Sequence, residues 1–196
     1  MTTHHRAEPA RGEGPRRRRQ IFDATLEALA RDGFESMTIE GIAEKSGVNK
    51  TTIYRWWPSK SALLGAALID APLLDLPMPD TGHLRGDLEH LVDGLVRLLT
   101  TQPSGAVAQS VLGAAVGDPG LATYIQGFFA DRLAREQVVI DRAVARGELP
   151  PDTDTMTLMD LLAGAVWLRA VFRRLPLDDD FARRTVSTVL DGVRPS

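Results

Sequence analysis

Between Thr38 and Lys60 the chain reads TIEGIAEKSGVNKTTIYRWWPSK, an order of small, apolar and cationic residues that few folds accept. Ile39, Ile42 and Ala43 fall on one face of a predicted helix, Gly47-Val48 supplies a turn, and Ile53 and Trp57 anchor a second helix. The spacing is that of a helix-turn-helix, in which one helix braces the next across its middle. Ala43 takes the tightest contact, where a larger side chain would part the helices, and Gly47 supplies the positive φ of the turn. Several fixed offsets are met together, so the segment predicts a DNA-binding unit.

The remaining chain is helical in pattern from Arg16 onward. A first helix over Arg16–Arg31 turns Phe22, Leu26 and Leu29 inward and stops at Asp32-Gly33. Ser59 caps a fourth helix that runs to Asp70, and residues 71–82, with three prolines and a glycine, read as a linker. Five more helices are predicted over His83–Thr100, Ser104–Val116, Asp118–Arg146, Asp154–Arg174 and Asp178–Val193. No segment alternates with period two for long enough to be a strand. The expected fold is all-α with about nine helices: a disordered arm over 1–15, a helix-turn-helix domain over 16–62, and a larger helical body over 63–196.

Composition narrows the function classes. The 196 residues allow one or two domains with a sizeable core. The absence of cysteine excludes disulfides, thiolate zinc sites and a cysteine nucleophile, and it suits a reducing cytoplasm. The longest apolar run, Leu161–Leu168, is too short to cross a bilayer, and Asp23 and Glu27 break up the apolar segment that a signal peptide starting at Arg16–Arg19 would need. Residues 1–60 carry eleven Lys or Arg against eight Asp or Glu, whereas residues 61–196 carry twelve against eighteen. A basic end on an acidic body suits a protein that applies one end to a polyanion.

Residues 16–65 resemble the DNA-binding domain of the tetracycline-repressor (TetR) family of bacterial transcription regulators. The resemblance lies in a basic first helix ending in RDGFESMTIEGIAEKSGV, followed by NKTTIYRWWPSKSALL. More loosely, RAVARGELPPDTD before a penultimate apolar helix resembles that family's ligand-binding and dimerisation domain. With Ile53 and Trp57 inward, Lys50, Thr51, Tyr54 and Arg55 point outward. Asn49 is the expected N-cap at the groove end of the helix. Lys50 and Thr51 are candidates for base edges, Thr52 for a methyl or phosphate contact, and Tyr54, Arg55 and Trp56 for phosphates. The resemblance implies that Thr38 and Lys60 clamp flanking phosphates, although both also read as ordinary cap and surface residues. Arg16, Arg17 and Arg18 oppose the dipole of their own helix, which favours an external anion such as phosphate.

Signals in the body are weaker. Leu88, Leu91 and Leu95, with Tyr124, Phe128 and Trp167, are candidates to line a pocket for a small apolar or amphipathic ligand; the same stripes serve as plain core. His83, Asp87 and His90 share a helix face, read as solvated rather than as a metal site, and Asp178–Asp180 read as helix-start acids. No cofactor or metal is expected. The resemblance implies a homodimer through the last two helices, with Val166, Trp167, Ala170, Val171, Phe172, Phe181, Val186, Val189 and Leu190 as candidates for its apolar surface, some of which can instead pack within the subunit. The combined expectation is a cytoplasmic repressor, not an enzyme and not a membrane protein, that binds a palindromic operator and is released by a ligand. A helix-turn-helix protein controlled by a partner, or by no ligand, stays open as the alternative.

Overall fold

A computed structural model describes residues 17–192. The expected arm, Arg16 and Val193 lie outside them. Within the described residues the chain forms α1 (Arg18–Ser36), α2 (Ile39–Ser46), α3 (Lys50–Trp56), α4 (Lys60–Ile69), α5 (Leu84–Thr100), α6 (Ser104–Gly117), α7 (Pro119–Ala145), α8 (Thr155–Trp167) and α9 (Phe181–Asp191). A short 3₁₀ turn, Pro72–Leu74, sits in the linker.

The starts follow from capping side chains, which satisfy backbone N–H groups that have no partner inside the helix. Thr38 Oγ1 accepts from Gly41 N (3.1 Å), Asn49 Oδ1 from Thr51 N (2.8 Å) and Ser59 Oγ from Ala62 N (3.0 Å). His83 Nδ1, Asp118 Oδ1 and Asp154 Oδ1 do the same for α5, α7 and α8. Gly33, with φ of 74°, interrupts the helical backbone of α1 where Asp32-Gly33 was expected to end it, and one further turn follows.

Among the described residues two hydrophobic cores hold the helices together. The first joins Ile21, Leu29, Ile42, Ile53, Leu63 and Leu64 of α1–α4 to Val107 and Val111 of α6 and Leu121 and Ile125 of α7. It therefore crosses residue 62, and the amino-terminal head is seated on the body through α1 against α6 and α4 against α7. At the second contact a Cβ on Gly65 would lie 2.5 Å from the Tyr124 side chain, so the two helices meet at van der Waals distance. The second core packs Leu88 and Val92 of α5, Val139 and Ile140 of α7, Val166 of α8 and Val186 of α9.

Several expectations need correction. The eighth helix does not run regularly to Arg174. It ends at Trp167 and widens over Leu168–Phe172, where Arg173 N donates to Leu168 O, five residues back (2.8 Å). The last helix starts at Phe181 rather than Asp178, with Asp178 and Asp180 pairing to Arg184 and Arg183 of its first turn. Asp87 is not on a solvated face: it is fully buried and accepts from Thr81 N and Thr81 Oγ1, both at 2.7 Å. Burial alone would push the Asp87 carboxyl up, but these bonds and the charges of Arg146 and Arg142 hold it below the usual carboxylate range.

The apolar character of α8 also extends beyond Leu161–Leu168. The helical stretch Thr155–Phe172 is long and apolar enough, by length and composition alone, to cross a membrane, and only 22% of it is buried in the subunit. Of the residues read as candidates for an interface or for packing within the subunit, Val166, Phe181 and Val186 take the latter role as core residues, and Trp167, Ala170, Val171, Val189 and Leu190 pack partly against that core. In and just after α8 the exposed large apolar groups are Met156, Leu161, Leu168, Phe172 and Leu175, of which only Phe172 is among the expected interface residues; Val116, Phe129 and Val138 are exposed elsewhere.

Candidate nucleic-acid interface

The turn between α2 and α3 fixes how α3 is presented. Gly47 takes the left-handed conformation (φ 63°), Val48 N donates to Ala43 O (3.0 Å) and Gly47 N to Glu44 O (3.2 Å). That closes α2 as glycine-ended helices commonly close. Arg17 Nη1 donates to Gly47 O (3.0 Å), so the start of α1 reaches across to the turn. Asn49 then opens α3 two residues later.

Ile53 is fully buried, and the ring of Trp57 lies against Phe22 at 5.3 Å between centroids. With those anchors inward, Lys50, Thr51, Tyr54 and Arg55 are exposed together on the opposite face, and Thr52 is half-buried at its edge. This face offers an ammonium, a guanidinium, hydroxyls and a phenol, all donors suited to phosphate oxygens and to guanine or adenine edges. Thr38 is exposed at the start of α2; its oxygen accepts the capping bond, which leaves its O–H free to donate outward. Lys50 Nζ rests 3.5 Å from Glu40 Oε1, an exposed pair of little energetic weight that a phosphate can replace. Glu40 was not anticipated as a neighbour of the face; its place on the first turn of α2 was the available signal.

Three expected contacts are differently placed. Arg18 pairs with Asp70 at the end of α4 (2.7 Å) and lies over the Phe22 ring, so it ties α1 to α4 instead of standing free. Trp56 turns its Nε1 into the protein, buried and without a hydrogen-bond partner, so its indole N–H is not offered to a backbone phosphate. Lys60 Nζ donates to Phe34 O (2.6 Å) and Glu35 O (3.3 Å) and sits 4.3 Å from the Phe34 ring centroid. It thereby satisfies carbonyls left open at the end of α1. Arg16 lies outside the described residues.

The six residues expected to line a ligand pocket are divided between the two cores. Leu88 and Leu91 are buried in the second core, with Leu95 and Trp167 packed against it, whereas Tyr124 and Phe128 pack on the first. Two clefts lie on the head: one of about 140 Å³ bordered by Glu27, Arg31, Thr38 and Lys45, and another of about 370 Å³ bordered by Arg17, Gln20 and Lys45. Neither touches the six expected lining residues.

Residues 21–67 match the domain of bacterial regulatory proteins of the tetR family, and residues 78–189 match the tetracyclin repressor-like C-terminal domain. The chain belongs to the TetR family. It is similar to the DNA-binding transcriptional repressor TetR of Mycobacteroides abscessus, at 34% identity over 92% of this chain and 94% of the relative. It is also similar to the HTH-type transcriptional regulator YdeS of Bacillus subtilis, at 30% identity over 89% and 88%. Among solved structures, the TetR family transcription regulator SCO0332 superposes with a TM-score of 0.77 at 36% identity, covering 92% of this chain and all of that one. As a TetR-family protein it is a helix-turn-helix, DNA-binding transcription regulator of all-α fold.

Proposed function

We propose that this TetR-family regulator is a cytoplasmic repressor that binds a palindromic operator as a homodimer and releases it when a small apolar or amphipathic ligand enters its body. The observation that carries the reading is the single exposed face of α3, on which Lys50, Thr51, Tyr54 and Arg55 stand clear of buried Ile53 and Trp57. Lys50 and Thr51 read base edges. Tyr54, Arg55 and Thr52, with Thr38 and Arg17 on either side, hold phosphates. Arg18 and Lys60 act as braces that fix the head, and Asn49 fixes the start of α3.

The exposed apolar groups running from Leu161 on α8 to Leu168 and Phe172 on the widened turn form the dimer surface, because an uncovered apolar stripe is unfavourable in water. A two-fold pair places two α3 helices in successive major grooves, roughly 34–36 Å apart. A ligand releases the operator only if it binds the spacing that does not fit DNA better than the one that does.

Selection of the full chain against a random duplex pool tests the reading. The expected winners are inverted repeats with half-sites one helical turn or a multiple apart, bound with a steep salt dependence. Enrichment of no sequence overturns it. If repeats are selected but no metabolite extract alters binding, control by a partner, or by no ligand, replaces the ligand switch.

A further inference from the structure

The seam between the two cores is charged on a face that is otherwise apolar. Positions 121, 125, 128, 132, 136, 139 and 143 of α7 follow one helical stripe. Leu121 and Ile125 belong to the first core, and Val139 and Ala143 to the second. Between them the stripe carries Phe128, Arg132 and Glu136, all half-buried. Leu98 of α5 packs against both cores, so α5 crosses the same seam.

Arg132 is incompletely answered there. Its Nη1 is buried with no hydrogen-bond partner, and its guanidinium lies over the Phe128 ring, 5.3 Å from the centroid. The neighbouring acids are engaged elsewhere: Arg135 takes both Asp75 (3.1 Å) and Asp131 (2.7 Å). Among the described residues Glu136, one turn on, forms no ion pair with Arg132. Burial pushes the Glu136 carboxyl up toward its neutral form, against the pull of Arg132. Burial likewise lowers the Arg132 guanidinium from its usual value, with Asp75 opposing. A guanidinium keeps its charge even so, and a buried one lacking an acceptor carries a desolvation penalty that an incoming anion recovers.

We infer that this seam is the effector site, and that the effector is an amphiphile with one anionic headgroup, a carboxylate or a phosphate, on an apolar chain. The headgroup pairs with Arg132 through the fork that suits both anions. The chain inserts between the cores along Phe128 toward Tyr124. Tyr124 is the side chain that touches Gly65, so displacing it moves α4, and with α4 the head. The inference rests on the ligand-switch reading and names the ligand class for it.

Titration calorimetry of the full chain with dodecanoate, dodecyl phosphate, dodecanol and dodecyltrimethylammonium, each below its aggregation concentration, tests the site. One or both anions should bind about tenfold or more tighter than dodecanol and the cation, the difference a charge-assisted hydrogen bond makes. Which anion wins separates a carboxylate from a phosphate effector. In Arg132→Gln the preference over dodecanol should shrink to about twofold or less, with dodecanol affinity unchanged. Equal or tighter binding of the neutral or cationic probe, retention of the preference by Arg132→Gln, or no binding of any probe to the parent overturns the inference. The headgroup series needs no variant, so misfolding of Arg132→Gln does not spare it. Should the site fail while a metabolite extract still releases operator DNA, the ligand switch stands; should no extract release it, both fall.

Discussion

Asn49 illustrates how single side chains set the geometry of this regulator. Its Oδ1 closes the first turn of α3, and Asn49→Ala should cost about 1 kcal/mol of stability in denaturant titrations, with a loosened approach of Lys50 to DNA. The motif announced this cap, the turn glycine and the inward Ile53 and Trp57, because each depends only on near neighbours in the chain. Arg18 paired with Asp70, Lys60 turned back onto Phe34 O, and the buried Trp56 indole were not legible. Their partners are tens of residues away or depend on how the head packs. Asp87 was equally hidden, because its burial depends on Thr81 and Arg146 closing over it. Its carboxyl titrates lower in the folded chain than in the unfolded one. Its contribution is therefore complete above about pH 4, the unfolded value, and is lost as pH falls through the folded value. Denaturant melts from pH 7 down to pH 3 should show that acid loss in the parent. In Asp87→Asn the loss should be smaller, on a chain already less stable at pH 7.

Among the elements, helices with strong caps and clean apolar stripes were placed by sequence to within a few residues. The end of α8 was not, because the widened turn at Leu168–Phe172, which contacts α5, contains no glycine or proline to announce it. The joint of α4 with α7 has the same long-range origin. Gly65 offers no signal in sequence, yet a methyl there would strike Tyr124. Gly65→Ala should destabilise by about 1–3 kcal/mol through overpacking and tilt α4 away from α7. Unchanged melting together with unchanged operator affinity would show that this joint does not couple body to head.

For the whole molecule, the division into a basic head and an acidic body was visible in the charge distribution, whereas the shared core that seats α1 and α4 on α6 and α7 was not. The exposed apolar side of α8 makes a prediction about assembly. Leu161→Glu puts a charge in the middle of that surface without touching the core, since Leu161 is 56% exposed. Sedimentation should show a dimer for the parent and a monomer for the variant, with operator affinity falling in parallel; a monomeric parent would remove the two-fold reading. The central claim is that the outward face of α3 enters a duplex, and salt-dependent binding of a selected operator by the Lys50→Ala, Tyr54→Ala double variant tests it most directly. With the helical signal intact, affinity should fall about tenfold or more, and the slope against log salt should drop by about one unit for a lost phosphate or base contact. A folded double variant that binds the operator as tightly and as salt-sensitively as the parent would contradict it.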